Sequence, residues 1–213
     1  MTTFHFVRHG KIRRDVDGAI PPGDPGLSTA GREQALRTAQ ELARDEICCV
    51  YSSPLKRATE TADVIAAHCG GDAGKLHVEV TPALRERINW GDLPGQSHED
   101  FQALWEKCNA NRKFVPPFGD SSIDAGARLE SFCLNVLREP PQDAVIAVTH
   151  GGIIADFLLN LCSEKELQRV NREFAEAPFA TESLPEGSIT TLRFDGYSLK
   201  VLAIGEIALQ HAH

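Results

Sequence analysis

The sequence predicts an α/β fold: a three-layer α/β/α sandwich with a mostly parallel central sheet flanked by helices, plus a small helical cap. Three observations carry that prediction. Short apolar runs ("TTFHFV", "ICCVYSS", "DAVIAVT") alternate with stretches of helical spacing, the order that builds βαβ units. Two of these runs are almost continuously apolar, as strands covered on both faces are. The 213 residues, 42% hydrophobic and 24% charged, contain no internal repeat and no Gly/Ser linker. That predicts a single domain over 1–213 with a cap insertion at about 92–125.

Each element has its own signal. "TTFHFV" reads as the first strand, closing on Arg8, His9 and Gly10. After the loop "DGAIPPGDPG", Ser28 or Thr29 offers an N-cap for a helix whose stripe is Ala35, Leu36, Ala39, Leu42 and Ala43. "ICCVYSS" is the second strand, and Ser53-Pro54 supplies a cap and first-turn proline for "PLKRATETADVIAAHC". "HVEVT" alternates as a strand and is followed by a polar loop over 82–95. Helices are expected over 97–108 and 124–137, separated by the proline-broken "FVPPFGD". "DAVIAVT" runs as a strand to His150, "GGIIADFLLNLC" starts a helix there, and "SITTLRF" and "LKVLAI" add two strands.

Composition narrows the function. A net charge of −8 argues against nucleic acid or an anionic membrane as partner, while leaving room for a small anion held by converging cations. "MTTFHFVRHG" is too short in its apolar part for a leader, and no apolar run reaches membrane-spanning length. The six cysteines are scattered, with Cys48 and Cys49 adjacent. They read as buried thiols in a reducing compartment, so the cytoplasm is expected. A homodimer is left open.

The chemistry gathers at one address. In open α/β sheets ligands sit outside the carboxyl ends of the strands. His9 and His150 both close predicted strands, each followed by glycine, and Arg57 lies in the first turn of the helix after the second strand. Two guanidinium forks (Arg8, Arg57) and the imidazole of His150 suit the oxygens of a phosphate monoester. The helix N-terminus at Gly151 adds oriented N–H donors. His9 is then free to attack phosphorus if neutral, a form that neighbouring Arg charge favours. Gly10 reads as a place where a Cβ would crowd the phosphoryl group. Such a site needs neither metal nor cofactor, because the protein supplies the positive charge.

"RHG", "LSTAGREQA", "VYSSPLKRATETA", "LRERINWGDLPG" and "VTHGG", in that order, are similar to the histidine phosphatase superfamily, the phosphoglycerate-mutase-like proteins. The resemblance runs over about residues 4–160 and points to the phosphatase branch. It implies that His9 is the nucleophile that becomes phosphorylated and that Arg8 and Arg57 bind the phosphoryl oxygens. It further implies that His150 completes the pocket as a charged donor and that Glu86 is the general acid. Among other nearby acids, Glu79 falls inside a strand pattern, and Asp92 and Glu99 lie beyond the motif.

The resemblance implies a metal-independent phosphatase that hydrolyses small-molecule phosphate monoesters through a phosphohistidine. The alternatives are mutase-type transfer and, in another class, a non-catalytic module that binds a phosphorylated ligand. The short interval from residue 86 to residue 150 favours the phosphatase. Three departures stand out: Asp15 where the family often has Asn, Pro94-Gly95, and Gly119-Asp120-Ser121. Lys11 reads as a solvated lysine. Phe101, Trp105, Phe114 and Phe118 read mainly as packing in the cap, where Lys107, Arg112 or Lys113 could meet a second anionic group of the substrate.

Rival motifs are weaker. "DVDG" at 15–18 has the Asp-x-Asp of metal-dependent phosphatases but follows "GKIRR" instead of an apolar strand. "GGDAGKL" lacks P-loop spacing and reads as a surface turn, and His211 and His213 read as a frayed tail.

Overall fold

The structure, a computed structural model, describes residues 1–70, 74–138 and 143–208. Residues 71–73 of "GGDAGKL" and both tail histidines lie outside the described residues. The strands are β1 (Thr2–Arg8), β2 (Ile47–Ser52), β3 (Val78–Val80), β4 (Ala144–Thr149), β5 (Ile189–Phe194) and β6 (Leu199–Glu206). They form one sheet in the order β3-β2-β4-β1-β5-β6. β3, β2, β4 and β1 run parallel to their neighbours, and β5 and β6 extend the sheet by antiparallel pairing. The helices are α1 (Thr29–Leu42), α2 (Lys56–Cys69), α3 (His98–Ala110), α4 (Ser122–Val136), α5 (Gly151–Leu161), α6 (Glu164–Val170) and α7 (Arg172–Glu176).

Strand alternation sorts the core into two layers. Phe4 and Phe6 of β1, with Val145 and Ala147 of β4, meet Leu129 and Phe132 of α4 and Ile153 and Phe157 of α5. Val7, Ile146 and Val148 face the other way, onto Ala39 and Leu42 of α1 and Ala58, Ala62 and Ile65 of α2. Period two in the strands thus gives helices on both faces. β4 is buried at all six positions, which explains why its sequence shows no polar alternation.

Several local expectations shift. On α1 the buried stripe is Gly31, Ala35, Thr38, Ala39 and Leu42, whereas Leu36 is 43% exposed. Thr38 takes the inner place because its hydroxyl donates to the Gly187 carbonyl at 2.7 Å. α2 begins at Lys56 rather than at Pro54. Its first free N–H goes to Asp24 at 2.8 Å, so an acid from the Gly/Pro loop supplies the cap. The thiols are not uniformly buried: Cys108 and Cys133 are, but Cys48 is exposed. Among the described residues no helix is long and apolar enough to cross a membrane.

Candidate active site

β1 and β4 lie side by side in the middle of the sheet, with Arg8 opposite Thr149. Their parallel course brings His9 and His150 together at one edge, with ring centroids 5.1 Å apart in an edge-to-face arrangement. Both are buried, at 8% and 1% exposure. The loop after β1 is drawn tight. Gly10 N–H donates to Thr61 Oγ1 at 3.1 Å, and that hydroxyl donates to the Arg57 carbonyl at 2.7 Å, fastening the nucleophile loop to α2. Gly10 is required for a different reason from the one expected: a Cβ there would meet the Gly31 carbonyl oxygen at 2.5 Å, at the start of α1.

His9 Nδ1 lies 2.9 Å from the Gly10 carbonyl, an acceptor, so the proton sits on Nδ1 and Nε2 carries the lone pair. Arg57 Nε–H donates to that lone pair at 3.1 Å. Burial, then the charges of Arg57 and Arg8, hold His9 well below the ordinary imidazole range. The neutral form expected from the sequence is therefore what the site selects.

Arg57, in the first turn of α2, is itself oriented. Its Nη2 donates to Asn89 Oδ1 at 3.0 Å, and Asp24 stands 3.8 Å from Nη1. Arg8 lies beside the opposite wall, its Nη1 donating to the carbonyls of Thr181 (3.3 Å) and Leu184. Its Nε is buried without a partner among the described residues. Desolvation lowers both arginines from their ordinary value, while Glu186 and Glu86 push Arg8 back up and Glu86 and Asp24 do so for Arg57.

His150 departs from the expectation of a charged donor. Burial, then Arg57, His9 and Arg8, hold it well below the usual range, so in the free protein it is neutral. Its Nε2 is 2.8 Å from Ser53 Oγ, which already accepts Leu55 N–H at 3.3 Å. Where that hydroxyl gives its own hydrogen to Nε2, the imidazole proton sits on Nδ1. That atom is buried and unpartnered among the described residues.

Glu86 follows the short 3₁₀ turn Pro82–Leu84, which Thr149 Oγ1 fastens to the end of β4 by donating to the Leu84 carbonyl at 2.6 Å. The carboxylate is 9% exposed. Oε1 accepts Arg87 N–H and Oε2 accepts Gly152 N–H, each at 2.9 Å. Gly152 is therefore part of the site, a residue not singled out from the sequence. A Cβ there would come 2.6 Å from Glu86 Oε1 and 2.5 Å from Trp105.

Arg87 was likewise passed over. It is fully buried, pairs with Asp156 of α5 at 3.1 Å, and donates to Ser122 Oγ at 3.0 Å and to Asn109. Its guanidinium lies 3.9 Å from the Trp105 ring centroid. Burial pushes the Asp156 carboxyl up to about 7, against the pull of Arg87. The signal that could have found Asp156 was a carboxylate inside an otherwise apolar helix, which demands a partner.

A deep cavity of about 200 Å³ holds Arg8, His9, Glu86, Gly151, Gly152 and Trp105 against the 178–184 segment. It adjoins a wider cleft of about 490 Å³ that contains Arg57 and the rings of Trp90, His98, Phe101 and Trp105. The structure thus brings together all five expected catalytic residues, and Gly151 beside them.

Other residues weighed from the sequence are elsewhere. Asp15 Oδ1 accepts the N–H groups of Asp17 (3.0 Å) and Ala19 (2.8 Å), making "DVDG" a turn. Asp92 pairs with Arg85 at 2.6 Å, Glu79 is exposed on β3, and Lys11 is exposed. Arg112 donates to the Asp156 carbonyl (2.9 Å) and Asn160 Oδ1 (2.7 Å), tying its loop to the end of α5. Among the described residues no three His, Cys, Asp or Glu side chains gather as a metal group would.

Comparison with known proteins places the chain in a family. Residues 4–206 match the histidine phosphatase superfamily (branch 1). Phosphoglycerate mutase-like protein 4 of Arabidopsis thaliana is 36% identical over 162 residues, 70% of this chain and 66% of that protein. Glucosyl-3-phosphoglycerate phosphatase of Mycobacterium tuberculosis is 30% identical over 166 residues, 70% of each. A phosphoserine phosphatase structure from Entamoeba histolytica shares the fold, with a TM-score of 0.70 over 97% of this chain and 98% of that one at 22% identity. With the motif order, the sheet and the family match in agreement, the chain is an enzyme of the histidine phosphatase superfamily, branch 1.

Proposed function

We propose that the protein hydrolyses small-molecule phosphate monoesters through a phosphohistidine on His9, with Glu86 as general acid and then general base. The observation that carries the reading is the state of His9: neutral, its proton held on Nδ1 by Gly10, its Nε2 lone pair turned toward Arg57. In the free site Arg57 Nε–H occupies that lone pair. A phosphoryl oxygen, being anionic, takes the donor over and leaves Nε2 free.

The Nε2 lone pair then attacks phosphorus, the ester P–O bond breaks, and its electron pair leaves on oxygen, which takes a proton from Glu86. Arg8, Arg57, His150 Nδ1–H and the α5 N-terminus at Gly151 hold the three peripheral oxygens. In the second step water gives its proton to the Glu86 carboxylate and attacks phosphorus. The P–N bond breaks, its pair returns to Nε2, and phosphate departs. No step calls for a metal.

Mutase-type transfer shares the first step and differs in its acceptor. The short interval between residues 86 and 150 and the phosphatase named among the relatives support water. The test is rapid quenching with a ³²P-labelled ester. We expect an acid-labile, base-stable label on the wild type and none on His9→Ala, whose turnover is abolished. A label of the same kind on His9→Ala ends the reading.

A further inference from the structure

We propose that the alcohol released by this enzyme carries an aromatic ring and no second anionic group. This rests on the reading of His9 and Glu86 as the phosphoryl-transfer pair. Trp105 borders both the deep cavity and the wider cleft, and a Cβ on Gly152 would touch both it and Glu86. The oxygen that Glu86 protonates therefore emerges beside the indole, and the rest of the alcohol extends along the cleft.

What it meets there is a ladder of rings: Trp90 with His98 (centroids 5.3 Å apart) and Phe101 (5.8 Å), then Phe101 with Trp105 (6.1 Å). At these separations the rings pack on one another into a single aromatic wall lining the cleft, against which a further ring would meet edge to face or offset-stacked. Core packing does not account for them. α3 buries only Cys108, and Phe101 and Trp105 stay partly exposed.

Charge decides against a second anion. Among the described residues the only Lys or Arg side chains lining the cleft are Arg8 and Arg57, both at His9. The cations expected to read such a group are placed otherwise: Arg112 is bound to the end of α5, and Lys107 and Lys113 are exposed outside the lining. Beyond the phosphate seat the charged side chain is Glu106, while Glu186 acts on Arg8. A carboxylate or second phosphate on the alcohol would face the like charge of Glu106, with no further lysine or arginine in the lining to offset it.

The test compares kcat/KM for 2-phenylethyl phosphate, glycerol 3-phosphate and 3-phosphoglycerate at one pH and ionic strength, all three having alkyl leaving groups. Binding of 2-phenylethylphosphonate is followed by calorimetry in parallel. We expect the phenylethyl ester to exceed glycerol 3-phosphate at least tenfold and 3-phosphoglycerate to be poorest. Phe101→Leu should raise KM for the phenylethyl ester and shrink the first ratio. Glu106→Lys, a surface change, should raise kcat/KM for 3-phosphoglycerate.

The selectivity is overturned if 3-phosphoglycerate equals the phenylethyl ester, or if neither variant moves its ratio. If none of the esters turns over and His9 takes no label while the phosphonate still binds, the hydrolytic reading fails instead.

Discussion

His9 and His150 are the same residue type at equivalent strand ends, yet their surroundings assign them different work. On His9 the Gly10 carbonyl claims Nδ1–H and leaves a bare Nε2. On His150 the Ser53 hydroxyl engages Nε2, and Nδ1 is the nitrogen without a partner among the described residues. Glu86, with two backbone N–H groups on its oxygens, is set at a fixed distance from the sheet edge. If it protonates the leaving oxygen, Glu86→Gln should depress turnover of an alkyl phosphate by on the order of 10²–10⁴-fold. It should depress nitrophenyl phosphate far less, since that phenolate leaves unaided. Equal losses on both esters would remove Glu86 from the role.

At the scale of elements, the Arg87–Asp156 pair joins the acid-bearing loop to α5 inside the protein. Both side chains are 0% exposed, so removing Arg87 leaves a buried carboxyl without its partner. Arg87→Met should cost about 3–5 kcal/mol by urea unfolding, and Arg87→Met with Asp156→Leu should recover most of it. A double variant no more stable than the single one would mean that the pair contributes more than mutual neutralisation. Gly119 belongs to the same joint. It holds φ at 87°, and any Cβ would strike the Arg87 carbonyl, while Asp120 N–H donates to that carbonyl at 2.9 Å.

Such joints were not legible in advance, whereas strands and some caps were. β1, β2 and β4 show as apolar runs and Ser97 opens α3, whereas α4 starts at Ser122, two residues before the expected position, on a cap from Ser121 that went unread. α6 and α7 went unread because they are short and polar, although Ser163 and Glu166 spell out a capping box. In the site, Arg8, His9, Arg57 and His150 were legible because strand ends and a first helical turn converge by topology. Glu86 sits on a loop and was reached only through family resemblance. Asn89, Gly152 and Ser53 owe their roles to contacts made across the fold, which no local pattern encodes.

Taken whole, among the described residues three buried imidazoles with lowered values stand against one buried carboxyl with a raised value, Asp156. His5, His9 and His150 all have lowered values, with burial the leading cause. As pH falls through about 6.5 the unfolded chain takes up protons that the folded one resists, so stability declines. Asp156, held up to about 7, works in the opposite direction, since the folded state binds its proton more tightly. Three against one leaves a net loss on acidification, about 1.4 kcal/mol per pH unit for each uncompensated proton. Tm should therefore fall between pH 7.5 and 5.5, and inorganic phosphate should blunt the fall by binding the native state. A Tm that holds level or climbs over that range would contradict the account.

The wall of the cleft is carried by α3, a helix with a single buried residue, Cys108, while His9 and His150 stand at the ends of the two innermost strands of the sheet. Sequence drift in that helix costs the scaffold little. Under the proposed mechanism, substitutions along that helix would therefore change which esters the cleft accepts without retuning the imidazole proposed to attack phosphorus.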